Sequence, residues 1–228
     1  MAELTKKNSG TKNAETEQEI EPRKIPKAVI KRLSLYARVL QTLEFENQER
    51  VSSAELARRL GLNSAQVRKD LAYFGPFGVP GFGYYVSDLR RQIRHILGKD
   101  RRVRVVLVGV GNLGSALLSY KGFIKEGFTM VWGFDIDPKS ARKRSRTTVP
   151  IYSIDELEKR LRGKQIDIAV LAVPAESAQE IADRLVDIGV HAILNFVPIH
   201  LSVPEQVQVR YVDLSLELES LSYYIQGV

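Results

Sequence analysis

In the stretch VRVVLVGVGNLG, Gly109, Gly111 and Gly114 keep the spacing G-x-G-x-x-G, directly after a β-branched run and at the mouth of an apolar helix. Each glycine has a physical task in binding a dinucleotide. Gly109 permits a tight turn, Gly111 lets the backbone approach a pyrophosphate, and Gly114 lets the helix pack close to the sheet. The loop Gly109, Val110, Gly111, Asn112, Leu113, Gly114 would offer backbone amides to an anion at a helix N-terminus, where the macrodipole favours negative charge. Asp135 follows 21 residues after Gly114, at the end of a second strand-like run in WGFDID. A carboxylate there accepts hydrogen bonds from ribose hydroxyls and repels a 2′-phosphate, which favours NAD+ and NADH over their phosphorylated forms. The basic run Arg142, Lys143, Arg144, Arg146 is the one feature that could offset such a phosphate.

A dehydrogenase would need a proton donor or a carbonyl-polarising group beside the nicotinamide. The chain has three histidines: His95 in a charged helix, His191 ahead of an apolar strand and His200 after NFVP. With no further domain to enclose a reaction, the cofactor reads as bound without turnover, and the protein as not an enzyme. The absence of cysteine excludes thiolate nucleophiles, cysteine zinc sites and thiol redox switches.

A second chemistry sits nearer the N-terminus. The 228 residues carry a net +7, and that charge is uneven: residues 22 to 102 hold 17 Lys and Arg against 7 Asp and Glu, a net +10, whereas 103 to 228 carry −1. A basic head on a near-neutral body points to a polyanion. Ser52-x-x-Glu55 has the form of a capping box and opens a helix that stops at Gly61; Asn63 can cap another, whose buried stripe is Val67, Leu71 and Phe74. Two short helices joined through a glycine make a helix-turn-helix, and the second presents Asn63, Ser64, Gln66, Arg68 and Lys69 near its N-terminal half, where base edges are read. Arg reads guanine and Gln adenine, while Lys and Ser more often hold phosphate; Arg58 and Arg59 would clamp the backbone.

The elements that must position these residues follow from periodicity. Residues 1 to 21 are polar and read as a disordered tail. Apolar residues from Ala28 to Leu43 recur at helical spacing, and the glycine, proline and aromatic residues of Phe74 to Val86 suit a tight β-hairpin, completing a winged helix over 22 to 86. Phe77, Phe82 and Tyr84 read as wing core. A linker helix capped by Ser87 and a charged hinge occupy 87 to 102. Strands are expected at Val103 to Val108, Phe128 to Phe134, Ile166 to Val173, Ala192 to Phe196 and Val207 to Val212. The helices between them run over Asn112 to Glu126, Asp155 to Arg162 and Ala175 to Ile188. That alternation predicts an α/β fold, a doubly wound parallel Rossmann sheet over 103 to 212. The last segment, 213 to 228, is a helix with Leu214, Leu218, Leu221 and Ile225 on one face. No apolar run is long enough to span a membrane and the first twenty residues have no apolar signal core, so the expected setting is cytoplasmic with no membrane partner.

Taken in order, KRLSLYARVL, VSSAELARRLGLNSAQVRKDLAYFG, GFGYYV, VGVGNLG, FDID and LNFVP resemble the Rex family of bacterial redox-sensing transcriptional repressors, over about Ile25 to Ile225. The resemblance implies a homodimer on palindromic double-stranded operator DNA that is released when NADH replaces NAD+. It also implies a switch built from Arg32, Tyr120 and Asp213, with Tyr120 near the nicotinamide, and a C-terminal helix that is domain-swapped onto the partner. Val79-Pro80 departs from the basic residue that family members often carry in the wing. Two other readings stay open on the residues alone: an NAD-dependent dehydrogenase with a DNA-binding arm, and a regulator that binds coenzyme A or an adenine nucleotide.

Overall fold

In the computed structural model, residues 25–79 and 81–225 are described, so the expected N-terminal tail lies outside the described residues. The chain divides at Leu97 and Gly98 into two units, each with its own core.

The first unit opens with α1 (Lys27–Phe45), whose Leu33, Tyr36, Leu40 and Leu43 are fully buried. After β1 (Arg50–Val51), Ser52 caps α2 (Ser53–Leu60), its hydroxyl accepting from the Glu55 N–H at 3.1 Å. Only half of the capping box forms, because the Glu55 carboxylate accepts from Gln48 Nε2 at 3.0 Å. Gly61, at φ 64, ends α2 in the left-handed region that glycine adopts without strain. Asn63 then caps α3 (Ser64–Ala72) by accepting from the Ala65 N–H at 2.8 Å. The hairpin is slighter than expected. Val79 and Gly83 make an isolated bridge, and β2 (Tyr84–Tyr85) pairs antiparallel with β1 rather than with a strand of its own hairpin. The next helix, α4 (Val86–Ile96), begins one residue before Ser87 and has no side-chain cap. Nor is it a free linker, since Val86, Leu89 and Ile93 are buried in the core formed with α1.

One polar group sits inside that core. Asp70, on α3, has no exposure, yet it falls on the same helical stripe as Val67 and Leu71. Its carboxylate accepts from Arg32 Nε at 2.5 Å, Arg32 Nη2 at 2.8 Å, the Tyr36 hydroxyl at 2.7 Å and Gln66 Nε2 at 2.6 Å. Burial alone would raise the Asp70 pKa; the bonds from Arg32, Tyr36 and Gln66 outweigh it and hold the carboxyl below its ordinary value. Burial and the bond to Asp70 together push the Tyr36 phenol up. The network ties α1 to α3 through charge where neighbouring turns do so through packing.

The second unit is a six-stranded sheet, wholly parallel, in the order β5-β4-β3-β6-β7-β8. Its strands are β3 (Val103–Val108), β4 (Phe128–Asp135), β5 (Ile151–Ser153), β6 (Ile168–Leu171), β7 (Ala192–Asn195) and β8 (Gln208–Tyr211). One face packs Leu118 of α5 (Asn112–Ser119) and Ala141 of α7 (Pro138–Arg144); the other packs α8 (Leu157–Leu161) and α9 (Ala175–Asp187). The long helix expected over 112 to 126 is broken. Tyr120 takes an extended conformation (φ −74, ψ 104) and only the short α6 (Gly122–Lys125) follows. The Tyr120 ring lies over Gly122, where an added Cβ would displace it. The helix α7 was not foreseen, although Asp137 caps it from Ser140 N–H at 3.1 Å and Pro138 takes its first turn. The helix expected from Asp155 starts as a 3₁₀ turn over Ile154–Glu156, with the Ser153 hydroxyl accepting from Asp155 N–H. Last comes α10 (Leu214–Tyr223), which has no buried residue: Leu214, Leu216, Leu218 and Leu221 are all more than half exposed.

Replacing Asp70 with Asn removes the charge that faces the Arg32 guanidinium. We expect about 3 kcal/mol of lost stability in the first unit, measured by urea denaturation. Because the folded Asp70 pKa is depressed, its contribution is present above the ordinary carboxylate range, near pH ~4, and is lost as pH falls through the folded value. The wild-type chain should therefore show an acid step in stability that Asp70→Asn lacks; identical acid profiles would refute the assignment.

Candidate functional site

The strand order places the crevice of the second unit between β3 and β6, where the chain reverses its direction of winding. Two backbone approaches shape it. At Gly109 (φ 92) an added Cβ would fall onto the Ala172 carbonyl, and at Gly114 onto the Gly109 carbonyl. At Gly111 it would meet nothing within 4 Å. Gly109 and Gly114 are thus demanded by the fold itself, while the open space at Gly111 suits the close approach of a phosphate to the backbone. The cleft has a volume of about 270 Å³ and is walled by Ile136, Ile154, Val173 and Pro174, apolar side chains able to sandwich a flat ring. Of these, Val173, Pro174 and the neighbouring Ser177 went unnoticed in the sequence; their signal was position, at the C-terminal end of the strand beyond the winding reversal.

Asp135 lies at the mouth of this cleft. One oxygen accepts from the Val110 N–H at 2.7 Å and the other from the Asp137 N–H at 2.9 Å, which fixes the carboxylate's direction and leaves lone pairs for hydroxyl donors. Val110 is itself fully buried and its amide is taken by Asp135, so its part in the loop is structural. Asn112 and Leu113 are exposed at the first turn of α5. Half of the basic run is hydrogen-bonded to backbone, Arg142 Nε donating to the Ile151 carbonyl at 3.0 Å and Arg144 Nη1 to the Val110 carbonyl at 3.0 Å, while Lys143 and Arg146 are exposed. His200 stacks on Tyr211, whose hydroxyl accepts from the Leu201 N–H at 3.0 Å.

In the first unit, Arg58 and Lys69 are exposed, and Arg68 Nη1 donates to Ser53 Oγ at 3.0 Å along a cleft between α3 and the hairpin. Ser64 opens α3 and is half-buried. Asn63 is spent on the cap and Gln66 on Asp70, so neither projects freely as a base reader. Arg59 is paired with Glu46 at 2.8 Å. The three residues expected to form the switch each have a partner of their own. Arg32 holds Asp70, the Tyr120 ring is 60% exposed and meets Phe123 edge-on at 5.0 Å, and Asp213 caps α10 by accepting from the Ser215 N–H at 2.9 Å. Among the described residues there is no cluster able to hold a metal, and no helix is long and apolar enough to cross a membrane.

Residues 24–72 match the family described as "Putative DNA-binding protein N-terminus", and residues 100–199 the family described as "CoA binding domain". A redox-sensing transcriptional repressor Rex of Syntrophomonas wolfei subsp. wolfei is 48% identical over 202 residues, covering 89% of this chain and 96% of the relative. Among solved structures, the Rex-family repressor RSP in complex with NAD+ and operator DNA is 38% identical, with a TM-score of 0.81 over 88% of this chain and 92% of that one. RSP in complex with NADH matches with a TM-score of 0.77 over 88% and 94%.

The three glycines separate experimentally. Gly109→Ala and Gly114→Ala should each lower the thermal midpoint strongly, by at least about 2 kcal/mol of stability, from backbone collision and, at Gly109, strain. Gly111→Ala should melt with the wild type, within about 0.5 kcal/mol. Equal losses at all three would show that Gly111 too serves the fold.

Proposed function

The chain belongs to the Rex family of redox-sensing transcriptional repressors, and from that premise we propose that it is a homodimeric repressor of bacterial genes that holds double-stranded operator DNA and leaves it when NADH replaces NAD+. The observation that carries this reading is the superposition of 88% of the chain on a repressor that holds both a dinucleotide and an operator. A repressor of this kind works where the chromosome lies, in the cytoplasm, and its relatives are named as repressors rather than enzymes.

The cleft fits a dinucleotide. Gly111, Asn112, Leu113 and Gly114 would meet the pyrophosphate at the N-terminus of α5, and Asp135 would accept from the adenosine ribose hydroxyls. The Asp135 carboxylate would repel a 2′-phosphate, which favours NADH over NADPH, and direct binding of the two measures whether the exposed Lys143 and Arg146 offset it. When bound, the dinucleotide supplies a nicotinamide that is positively charged when oxidised and neutral when reduced. Tyr120 and Asp213 are the proposed sensors of that difference, and Arg32 joins the switch through its grip on Asp70, which orients the recognition helix. Only a difference in affinity between the two protein states can move the DNA-competent population. Arg58, Ser64, Arg68 and Lys69 are proposed to contact DNA, with Asn63 and Gln66 shaping the helix that carries them. The bare apolar face of α10 supports a dimer in which the partner covers it.

The match to a coenzyme A family raises one competing ligand class. Comparing NADH, NADPH, ATP and coenzyme A by direct binding separates them; tightest binding of coenzyme A would overturn the dinucleotide reading. The coupling itself is reciprocal, so operator duplex should weaken NADH binding by the factor by which NADH weakens operator binding, about 5- to 150-fold. Equal NADH affinity with and without duplex sinks the mechanism, and Gly111→Ala should fail to respond to NADH while still binding DNA. Substituting Leu218 and Leu221 together with Ser should abolish the concentration dependence of Tm that a dimer shows.

A further inference from the structure

The hairpin of the first unit runs from Phe74 to Val86 without a single lysine or arginine. Its tip is apolar and open, with Val79 53% and Phe82 67% exposed, whereas Phe77 and Tyr84 pack against the core. Phe82 is therefore not wing core, as its sequence suggested, and a tip of this composition has no charge of its own with which to hold a polyanion.

A cation reaches the tip from elsewhere. Arg50, on β1, lies directly opposite Tyr85 in the antiparallel pair. Its guanidinium stands 4.7 Å from the Tyr85 ring centroid and 5.8 Å from that of Phe82, and Nη2 donates to the Tyr85 hydroxyl at 2.7 Å. The residue is exposed and meets no carboxylate among the described residues. Arg32, Arg59 and Arg90 of the same unit are each neutralised by Asp70, Glu46 and Glu44 respectively. Two rings thus hold a guanidinium in one orientation without cancelling its charge, and leave most of its five N–H donors unspent. Fixing the plane beforehand removes much of the rotamer entropy that a long cationic side chain loses on binding.

We propose that Arg50, buttressed by Tyr85 and Phe82, is the wing's contact to the sugar–phosphate backbone of DNA, the cation of a wing that carries none in its own loop. The proposal rests on the reading of the chain as a DNA-binding repressor. A guanidinium held this way contacts phosphate oxygens common to every sequence, so it contributes to affinity and register rather than to base preference.

The test measures binding of a palindromic operator selected by the wild-type chain from a random library, and of a scrambled duplex of equal composition, across a salt series. Arg50→Ala and Arg50→Gln should each weaken both duplexes alike, by about tenfold, and make the slope of log K against log salt shallower by about 1. Arg50→Lys keeps the charge and should keep the wild-type slope with weaker binding, because an ammonium loses the planar stack. Phe82→Ala should weaken binding with the slope unchanged. The acid step in stability that Asp70 gives the first unit should be the same in all four variants and reports that the unit carrying each substitution is folded. A wild-type slope in both Arg50→Ala and Arg50→Gln overturns the proposal, since it marks a role confined to the β1–β2 pair. Loss on the operator alone also overturns it, in favour of base reading. A wild-type chain that binds no duplex brings down the repressor reading, a result that the Arg50 variants alone cannot produce.

Discussion

A carboxylate with no contact with water survives in a protein core only when donors replace the water it has lost. Asp70 has four such bonds, from Arg32 (twice), Tyr36 and Gln66. Three of them come from α1, so the orientation of α3 is tied to that of α1. Apolar packing alone tolerates small slides of one helix over another; a saturated carboxylate does not, because any slide strands a charge. The orientation of α3 is therefore set by electrostatics, and the surrounding Leu33, Leu40, Val67 and Leu71 supply the dry setting in which that constraint is strong.

The second unit solves a different problem by removing side chains. At the point where the sheet reverses its winding, the loop after β6 comes so close to Gly109, and α5 so close to the Gly109 carbonyl, that only glycine fits at 109 and 114. The carboxylate of Asp135 is then tied to the amide of Val110, linking the tips of β3 and β4 on the side where an adenosine ribose would lie. The glycine loop, the acid and the apolar walls thus stand together around one cleft.

Much of this was legible in the sequence, and the exceptions have physical causes. The strand pattern follows from local rules, and five of the six strands fall where it put them; the short edge strand β5 does not show in it, because three residues are too few for a periodic signal. Gln66 reads as a base reader and Arg32 only as the switch residue that the resemblance implies, because their shared partner, Asp70, lies 38 residues from Arg32 in sequence; the clue was an acid on the buried stripe of an amphipathic helix. The break falls at Tyr120, which takes an extended conformation, a turn that apolar periodicity does not encode. Asp137-Pro138 announces α7, but the helix buries only Ala141 and so shows no apolar stripe in the sequence. Phe82 looked like core on residue type alone, while its neighbours Phe77 and Tyr84 are packed inward.

The commitment of Gln66 to Asp70 also bears on how such a protein diverges. A recognition helix can drift towards a new operator only at positions whose side chains the fold does not need. In α3 the fold claims Val67, Asp70 and Leu71 for the core and Gln66 for the carboxylate, and Asn63 for the cap. What is left to selection is Ser64, Ala65, Arg68, Lys69 and Ala72, of which only three carry a polar side chain. Descendants of this chain would change their target genes more readily by mutation of the operators than of the reader, so the regulator stays nearly fixed while its regulon is rewritten around it.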